Sequence, residues 1–306
     1  MSISIGGPPH PWAHRLNSRA RRSGAGPGLR PLASGAMTLQ RQAALFRSRI
    51  GRRWASEEAK ARSRNRRDPG AFAATVDDVP SGSDMGDLFV RHDGRLVQKW
   101  AHYLPAYDEQ FARFRTGFPL PAGGRRPVRM LELGVDHGGS LQMWRRYFGP
   151  AAGIWGIDIN PACTSIADPD LEIRIGSQAD PSFLRGVVDE MGGVDIVLDD
   201  GSHLAAHQRA SFETLFPLLP ASGLYVVEDT HTAYWRDYGG GRRRGFLGLT
   251  ADLIDDVHGW YHGGKPNLSI DAVHWVPKVT VYDSMVAIEK QERERPMYVS
   301  LGTKSF

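Results

Sequence analysis

Carboxylates and a histidine follow two largely apolar segments of the sequence, Val194–Leu198 and Gly223–Val227. The residues that follow these segments are Asp199, Asp200, His203, Glu228 and Asp229. A short apolar run between turn residues is typical of a strand buried on both faces of a parallel sheet. In such sheets the ligand binds beyond the carboxyl ends of the strands. We therefore expect these side chains to lie where chemistry takes place.

The spacing of the two acidic strand ends favours a divalent metal ion. Asp200 and Glu228 are 28 positions apart, close to the roughly 30 residues of one βαβ unit. If the two strands are neighbours, their ends lie about 4.8 Å apart, and carboxylates that close repel each other unless a cation lies between them. Mg²⁺ takes oxygen ligands at about 2.0–2.1 Å and would fit that gap.

Each acidic residue also has a competing structural interpretation. Adjacent residues of a strand point to opposite sides, so either Asp199 or Asp200 faces the ion. We assign Asp200 to the ion and Asp199 to a turn, a helix cap or the cofactor side. Glu228 and Asp229 are both expected as ligands, with backbone hydrogen bonding as the alternative for one of them. His203 would accept a proton near neutral pH, or else simply begin a helix.

A glycine-rich turn between a predicted strand, Val128–Leu133, and a predicted helix, Leu141–Phe148, indicates a nucleotide site. Glycines let a ligand approach the backbone, and the helix N-terminus follows at once. Asp158 lies 24 positions after Gly134, and an acidic residue at about this distance commonly binds ribose hydroxyls. Residue 136 is aspartate, so the Gly-x-Gly-x-x-Gly pattern of NAD sites is broken, and the S-adenosylmethionine site of class I methyltransferases is the alternative. The expected cofactor contacts are Glu132, Gly134, Gly138, Ser140, Asp158, Gln178, Asp180 and Asp199.

The order of predicted elements defines the expected fold. Five strands alternate with helices, which predicts an α/β fold with a doubly wound, Rossmann-like sheet of the class I methyltransferase type. A C-terminal antiparallel hairpin is predicted from Ser269–Val276 and Val279–Lys290, on either side of Pro277. Aromatic residues at helical spacing between Leu96 and Phe114 predict a helix on the sheet edge, or a lid that contributes Lys99, His102 or Tyr107.

Charge is distributed unevenly along the chain. Residues 1–67 carry 14 arginines, one lysine and two glutamates, a formal charge of +13, so the remainder sums to −9 against the total of +4. We expect residues 1–80 to be a disordered basic leader and linker, with a loosely attached helix over 38–62, and residues 81–306 to form the folded domain with an N-terminal helical lid. The leader has three competing interpretations: a basic tail for nucleic acid or membrane, a targeting segment, or sequence upstream of a true start at Met37 or Met85.

Composition narrows the compartment and the partners. Cys163 is the only cysteine and no apolar run reaches 18 residues, so a reducing cytoplasmic location without a membrane span is expected. We expect no nucleic acid to bind the acidic folded domain. Whether the protein forms a homo-oligomer stays an open question.

Four motifs in order resemble one family, the metal-dependent sugar O-methyltransferases of macrolide biosynthesis, such as the mycinamicin and macrocin enzymes. The motifs are Leu131–Trp144, Ile157–Pro161, Leu198–His203 and Val227–Trp235. The resemblance covers about residues 84–290. It implies S-adenosylmethionine and Mg²⁺ as cofactors, Asp200, Glu228 and Asp229 as metal ligands, and His203 as base.

The expected function is therefore S-adenosylmethionine-dependent O-methylation of a sugar hydroxyl on a glycosylated small molecule. Similar domains also carry a cephalosporin-hydroxylase label, so a related metal-dependent reaction is one alternative. A nucleotide-binding module without turnover is the other. We expect the family's separate N-terminal auxiliary domain to be missing or reduced here, which leaves the oligomeric state and the acceptor pocket open.

Overall fold

Seven strands form one sheet in the computed structural model, which describes residues 76–79, 82–166, 168–239, 241 and 243–306. Among the described residues, β1 (Phe118–Pro119) and β2 (Arg125–Arg126) pair with each other. The strands of the large sheet are, in chain order, β3 (Arg129–Leu133), β4 (Gly153–Asp158), β5 (Leu171–Ile175), β6 (Ile196–Asp199), β7 (Leu224–Val227), β8 (Val279–Tyr282) and β9 (Met285–Glu289). The order across the large sheet is β5-β4-β3-β6-β7-β9-β8. The first five of these strands are parallel, and β9 runs antiparallel to both of its neighbours, β7 and β8. The predicted fold class is confirmed.

Helices cover both faces of this sheet. They are α1 (Asp84–Val90), α2 (Tyr103–Phe111), α3 (Gly139–Phe148), α4 (Pro181–Glu190), α5 (Ala205–Leu215), α6 (Phe246–Val257), α7 (Gly259–His262) and α8 (Ala272–Trp275). Short 3-10 turns cover Val76–Asp78, Ala112–Phe114, Pro161–Ser165, Phe216–Leu218, Thr230–Tyr234 and Arg236–Tyr238. In the part of the chain that the structure describes, none of these helices has the length and apolar character needed to cross a bilayer.

The central strands are buried on both faces, as the apolar runs predicted. Every residue of β6 and β7 is buried. Leu198 packs into the core that contains Trp144 of α3, whereas its neighbour Val197 packs on the opposite face with Phe212 of α5. Because successive side chains of a strand alternate between faces, β6 holds the two helical layers together.

The strand register brings three predicted site segments to one edge of the sheet. Leu133 is opposite Asp199, and Asp199 is opposite Val227. The next residue of each strand therefore lies at the same edge: Gly134, Asp200 and Glu228. Two backbone hydrogen bonds continue the ladder there, from the Asp200 N–H to the Leu133 carbonyl and from the Glu228 N–H to the Asp199 carbonyl, each 3.0 Å long.

The predicted position of the C-terminal hairpin is wrong, although the hairpin itself is present. Its strands are β8 and β9, joined at a turn where Ser284 has a φ of +61°. The segment predicted as the first strand instead contains α8, which Asp271 caps by accepting a hydrogen bond from the His274 N–H. β9 also inserts between β7 and β8, so the hairpin extends the main sheet.

The predicted N-terminal helix is shorter than its aromatic pattern. Helix α2 begins at Tyr103, and residues 96–100, here called the wall segment, precede it without regular structure. The predicted leader helix over 38–62 and most of the predicted leader and linker over 1–80 lie outside the described residues. The domain boundary near residue 80 stays a prediction.

Candidate active site

A cavity of about 890 Å³ opens at the carboxyl ends of the parallel strands. The wall segment, the turn after β3 and the ends of β4, β5, β6 and β7 surround it. The predicted site residues that line it are Gly134, Ser140, Asp158, Gln178, Asp200, His203, Glu228 and Asp229. Four other candidates, Glu132, Gly138, Asp180 and Asp199, are not among its lining residues.

Asp158, at the end of β4, holds the glycine-rich turn. Its Oδ2 atom accepts hydrogen bonds from the backbone N–H groups of Val135 (2.9 Å) and Asp136 (3.2 Å), and its Oδ1 atom accepts one from Asn160 (2.7 Å). A Cβ atom at Gly134 would collide with the carbonyl oxygen of Asp200, and Gly134 has a φ of +99°. Only glycine fits this close approach of the turn to β6.

Glu132 lies behind the turn and is fully buried. Its Oε2 atom accepts a hydrogen bond from the Ser140 hydroxyl at 2.7 Å, and burial raises the pKa of Glu132 to about 7. Gly138 precedes α3 with a φ of +81°, which explains a glycine at that position. Glu132 and Gly138 therefore lie behind the cavity lining, and their predicted contact with the cofactor stays untested.

Gln178 links the end of β5 to the end of β6. Its Nε2 atom donates to Asp199 Oδ1 at 3.0 Å, and its Oε1 atom accepts from the Ser202 N–H at 2.7 Å. Asp199 is fully buried and also accepts a 2.6 Å hydrogen bond from the Ser211 hydroxyl of α5. Burial raises the pKa of Asp199. Asp199 thus points into the protein, opposite to Asp200, as the alternation of the strand required.

Asp180 caps helix α4. Its carboxylate accepts hydrogen bonds from the backbone N–H groups of Ser182 and Phe183, at 2.9 and 3.2 Å. This is the usual arrangement of an aspartate at a helix N-cap. The structure gives Asp180 a structural role away from the cavity lining, and its predicted contact with the cofactor stays untested.

Asp200, His203 and Asp229 form a group with metal-binding geometry. One ligand atom from each residue lies within 4.8 Å of the others. His203 Nε2 is 3.5 Å from Asp229 Oδ2 and 3.9 Å from Asp200 Oδ1, while the buried Nδ1 atom of His203 has no hydrogen-bond partner among the described residues. Carboxylate oxygens and an imidazole nitrogen fit a divalent cation.

Glu228 lies beside this group, but a lysine occupies the space between it and Asp200. Lys99 Nζ is 2.5 Å from Asp200 Oδ2 and 2.9 and 3.0 Å from the two Glu228 oxygens. The Tyr107 hydroxyl donates to Glu228 as well. Of the three residues proposed for a lid, Lys99 and Tyr107 therefore reach the acidic cluster, whereas His102 pairs with the Asp283 carbonyl at 3.1 Å.

Sequence reasoning missed two donors to Asp229. The Tyr103 hydroxyl and the Trp100 indole N–H lie 2.8 and 3.1 Å from Asp229 Oδ1. Both residues belong to the aromatic pattern that predicted an edge helix or a lid, but neither is among the three residues expected to reach the cleft. Burial acts to raise the pKa of Asp229, but His203, Tyr103 and then His231 outweigh it and lower that pKa. Asp229 is thus held in its ionised form.

Comparison with known proteins connects this site to a reaction class. The chain is 41% identical over 187 residues to 8-demethyl-8-(2-methoxy-alpha-L-rhamnosyl)-tetracenomycin-C 3'-O-methyltransferase of Streptomyces olivaceus. The aligned region covers 57% of this chain and 45% of that protein. It is 37% identical over 203 residues to mycinamicin VI 2''-O-methyltransferase of Micromonospora griseorubida, covering 61% and 48%. This chain is homologous to sugar O-methyltransferases of antibiotic biosynthesis. The resemblance seen in the four motifs is confirmed.

Solved structures extend the similarity to the fold. The MycE methyltransferase of the mycinamycin biosynthetic pathway, in complex with Mg and SAH, superposes with a TM-score of 0.58 at 33% identity, covering 68% of this chain and 55% of MycE. A second MycE structure also contains mycinamycin VI and gives a TM-score of 0.56 at 32% identity, covering 70% and 54%. The chain spans about half the length of these relatives. No protein-family model matches it.

Proposed function

We propose that this chain transfers the methyl group of S-adenosylmethionine to a sugar hydroxyl of a glycosylated small molecule, with Mg²⁺ as a second cofactor. The observation that carries the proposal is the meeting of Asp200, His203 and Asp229 in one cavity with the turn at Gly134 and with Asp158. A methyl-donor site and an ionisable group for the acceptor would thus share one space. The homology to sugar O-methyltransferases supports this assignment.

The residues around the glycine-rich turn suit the methyl donor. Gly134 allows close contact with the backbone, Asp158 stands at the end of the next strand, and Gln178 follows β5. Carboxyl ends of strands in open α/β sheets bind nucleosides in this arrangement. In this proposal Asp158 binds the ribose hydroxyls while still accepting the N–H groups of the turn.

The acidic group suits Mg²⁺, with Asp200 and Asp229 as ligands and Glu228 next to them. A divalent ion, when bound, would lower the pKa of a hydroxyl group that contacts it. The chain supplies the negative charge that such an ion needs, since Asp229 keeps a lowered pKa.

His203 would act as the base. As the acceptor oxygen attacks the methyl carbon, the carbon–sulfur bond breaks and the sulfonium leaves as a neutral thioether. The proton of the hydroxyl passes to the imidazole of His203, whose Nε2 atom lies 3.5 Å from Asp229 Oδ2. That carboxylate stabilises the imidazolium that forms. The positive charge of the sulfonium is thus replaced by the positive charge of the imidazolium, which lies beside the Asp229 carboxylate.

The acceptor would bind beside the aromatic side chains at the cavity mouth. Trp100 and Trp235 line the cavity, are partly exposed, and flank the ring of His231 at centroid distances of 5.9 and 4.6 Å. Flat aromatic faces give apolar contact area to a sugar ring or an aglycone. These contacts would suit a glycoside acceptor, and the similar MycE methyltransferase has been solved in complex with mycinamycin VI.

The test is turnover with labelled S-adenosylmethionine, Mg²⁺ and a panel of deoxysugar-bearing macrolides and aromatic polyketides, followed by mass spectrometry. We expect a product heavier by one methylene group and one equivalent of demethylated donor. An oxygenated product would favour the hydroxylase-like alternative. Tight donor binding without turnover on any glycoside would favour a binding module. The expected cytoplasmic location and homo-oligomer stay predictions.

A further inference from the structure

Lys99 is a buried cation in the middle of an acidic cluster. Its side chain is 2% exposed, and its Nζ atom lies 2.5 Å from Asp200, 2.9 Å from Glu228 and 3.7 Å from Glu132. The rings of Tyr107 and Trp144 lie 5.9 and 6.0 Å from it. A buried ammonium is stable only when carboxylates compensate its lost hydration. The cluster and Lys99 therefore depend on each other.

The two oxygens of Asp200 serve different partners. Oδ2 binds Lys99, whereas Oδ1 lies 3.9 Å from His203 Nε2. Asp229 is divided in the same way, with Oδ1 bound by Tyr103 and Oδ2 nearest to His203. Donors on one side of the carboxylates thus leave the oxygens nearest to His203 available for an ion.

Lys99 also anchors one wall of the cavity. It belongs to the wall segment, all five residues of which line the cavity. Trp100 adds a 3.1 Å hydrogen bond to Asp229, so the segment is attached to two strand ends through their acidic residues. The same carboxylates therefore hold the wall and face the space for an ion.

We propose that Lys99 is a positioning residue that shares Asp200 with the divalent ion of the proposed function. Its ammonium fixes the wall segment, orients Asp200 and Glu228, and limits how tightly the ion binds. Removal of Lys99 would change ion affinity in two opposite ways. The loss of an orienting contact typically lowers affinity by roughly 10–100-fold, whereas the loss of a nearby positive charge raises it. We expect the second effect to be larger, because a monovalent and a divalent cation a few ångströms apart repel strongly. The inference rests on the proposed ion site and adds the residue that controls it.

The experiment compares Mn²⁺ binding by calorimetry in the wild type and in Lys99→Met. We expect roughly tenfold tighter Mn²⁺ binding in the variant, because one positive charge has been removed from the site. We also expect faster tryptic cleavage after Arg95 and at least about tenfold slower methyl transfer, because the wall segment loses its anchor. Simple structural damage would weaken ion binding and activity together, so opposite changes identify the proposed role.

Lys278→Met is the matched control. Lys278 is 54% exposed and pairs only with Glu289 at 3.1 Å among the described residues. Its replacement should leave Mn²⁺ affinity, tryptic cleavage and turnover unchanged. Lys99→Arg keeps the charge and should keep an Mn²⁺ affinity close to that of the wild type. Tenfold tighter binding in Lys99→Arg would overturn the charge argument.

A measurement on the wild type covers the case in which Lys99→Met does not fold. Amine acetylation followed by mass spectrometry should label Lys99 at least about tenfold more slowly than Lys278, since a buried ammonium reacts only when the segment opens. Equal labelling rates would overturn the proposal. Unchanged or weaker Mn²⁺ binding in folded Lys99→Met would overturn the role of Lys99 alone, whereas a wild type that binds no Mn²⁺ would overturn the ion site itself.

Discussion

The Nε2 atom of His203 lies 3.5 Å from the Oδ2 atom of Asp229, and both residues have left-handed backbones, with φ values of +55° and +52°. This conformation is unfavourable for residues other than glycine and persists only where the surroundings hold it. The Tyr103 hydroxyl accepts a hydrogen bond from the Asp229 N–H at 3.2 Å. Strain at the ends of two neighbouring strands thus turns the ring and the carboxylate toward each other.

Replacement of His203 by alanine should lower the turnover rate by about 10²–10⁴-fold, the range typical for loss of a general base. The affinity for Mn²⁺ should change only a few-fold, and the affinity for the methyl donor should not change. Steady-state kinetics and calorimetry measure the three quantities. His274→Ala, which changes an exposed histidine, is the control. A loss of Mn²⁺ affinity as large as the loss of rate would make His203 an ion ligand instead.

Removal of divalent ions with EDTA should abolish turnover, and added Mg²⁺ should restore it. Asp200→Asn should lower Mn²⁺ affinity at least about tenfold, because it removes a charged oxygen ligand. Binding of the methyl donor should stay largely intact, since the proposed donor site lies mainly at the ends of β3 and β4. The exposed Asp189→Asn serves as the control. Full activity in excess EDTA would contradict the role of the ion.

Asp158→Ala should weaken binding of S-adenosylmethionine by roughly 10–100-fold, since hydrogen bonds to charged groups contribute about 1.5–3 kcal/mol. The turn would also lose the acceptor for the N–H groups of Val135 and Asp136. Asp180→Ala is an informative comparison: it should cost about 1 kcal/mol of stability as a lost N-cap and leave donor binding unchanged. Calorimetry decides, and the reverse ranking of the two variants would refute this assignment.

Lys290 should make stability depend on pH above about 8. Burial lowers its pKa to about 8, and its Nζ atom donates to the carbonyl oxygen of Pro217 at 2.8 Å. Between that value and the ordinary 10.5, the unfolded chain binds a proton that the folded protein does not, so the free energy of unfolding rises with pH. Wild-type Tm should therefore rise from pH 8 toward about 9.5 relative to Lys290→Met. A constant difference in Tm across this range would count against the lowered pKa.

Deletion of residues 1–67 should leave folding and donor binding nearly unchanged. That segment has a formal charge of +13 and little periodic apolar sequence, and over the residues that the structure describes the buried apolar core begins at Met85. Near-UV circular dichroism and calorimetry on the truncated chain measure the outcome. Loss of folded protein on truncation would show that the leader contains a packed element.

The sequence by itself determined the five parallel strands and the acidic residues at the ends of two of them. Apolar runs such as Val194–Leu198 are local signals, and parallel pairing then brings Asp200 and Glu228 to one edge. The opposite directions of Asp199 and Asp200 followed from the alternation of a strand. Gly134 directly after a predicted strand indicated a tight turn at that position.

Only the tertiary structure decided which partners these residues have. Lys99 lies 101 positions before Asp200, and no local pattern distinguishes a lysine that enters an acidic cluster from one on a solvated helix. Asp180 was predicted as a cofactor contact from the sequence. In the structure its carboxylate accepts hydrogen bonds from the first N–H groups of α4. The structure likewise places the turn of the C-terminal hairpin at Ser284, and β9 pairs with both β8 and β7. Contacts between segments far apart in the chain are set by how the layers pack. A local sequence pattern does not say which distant segment a side chain will meet.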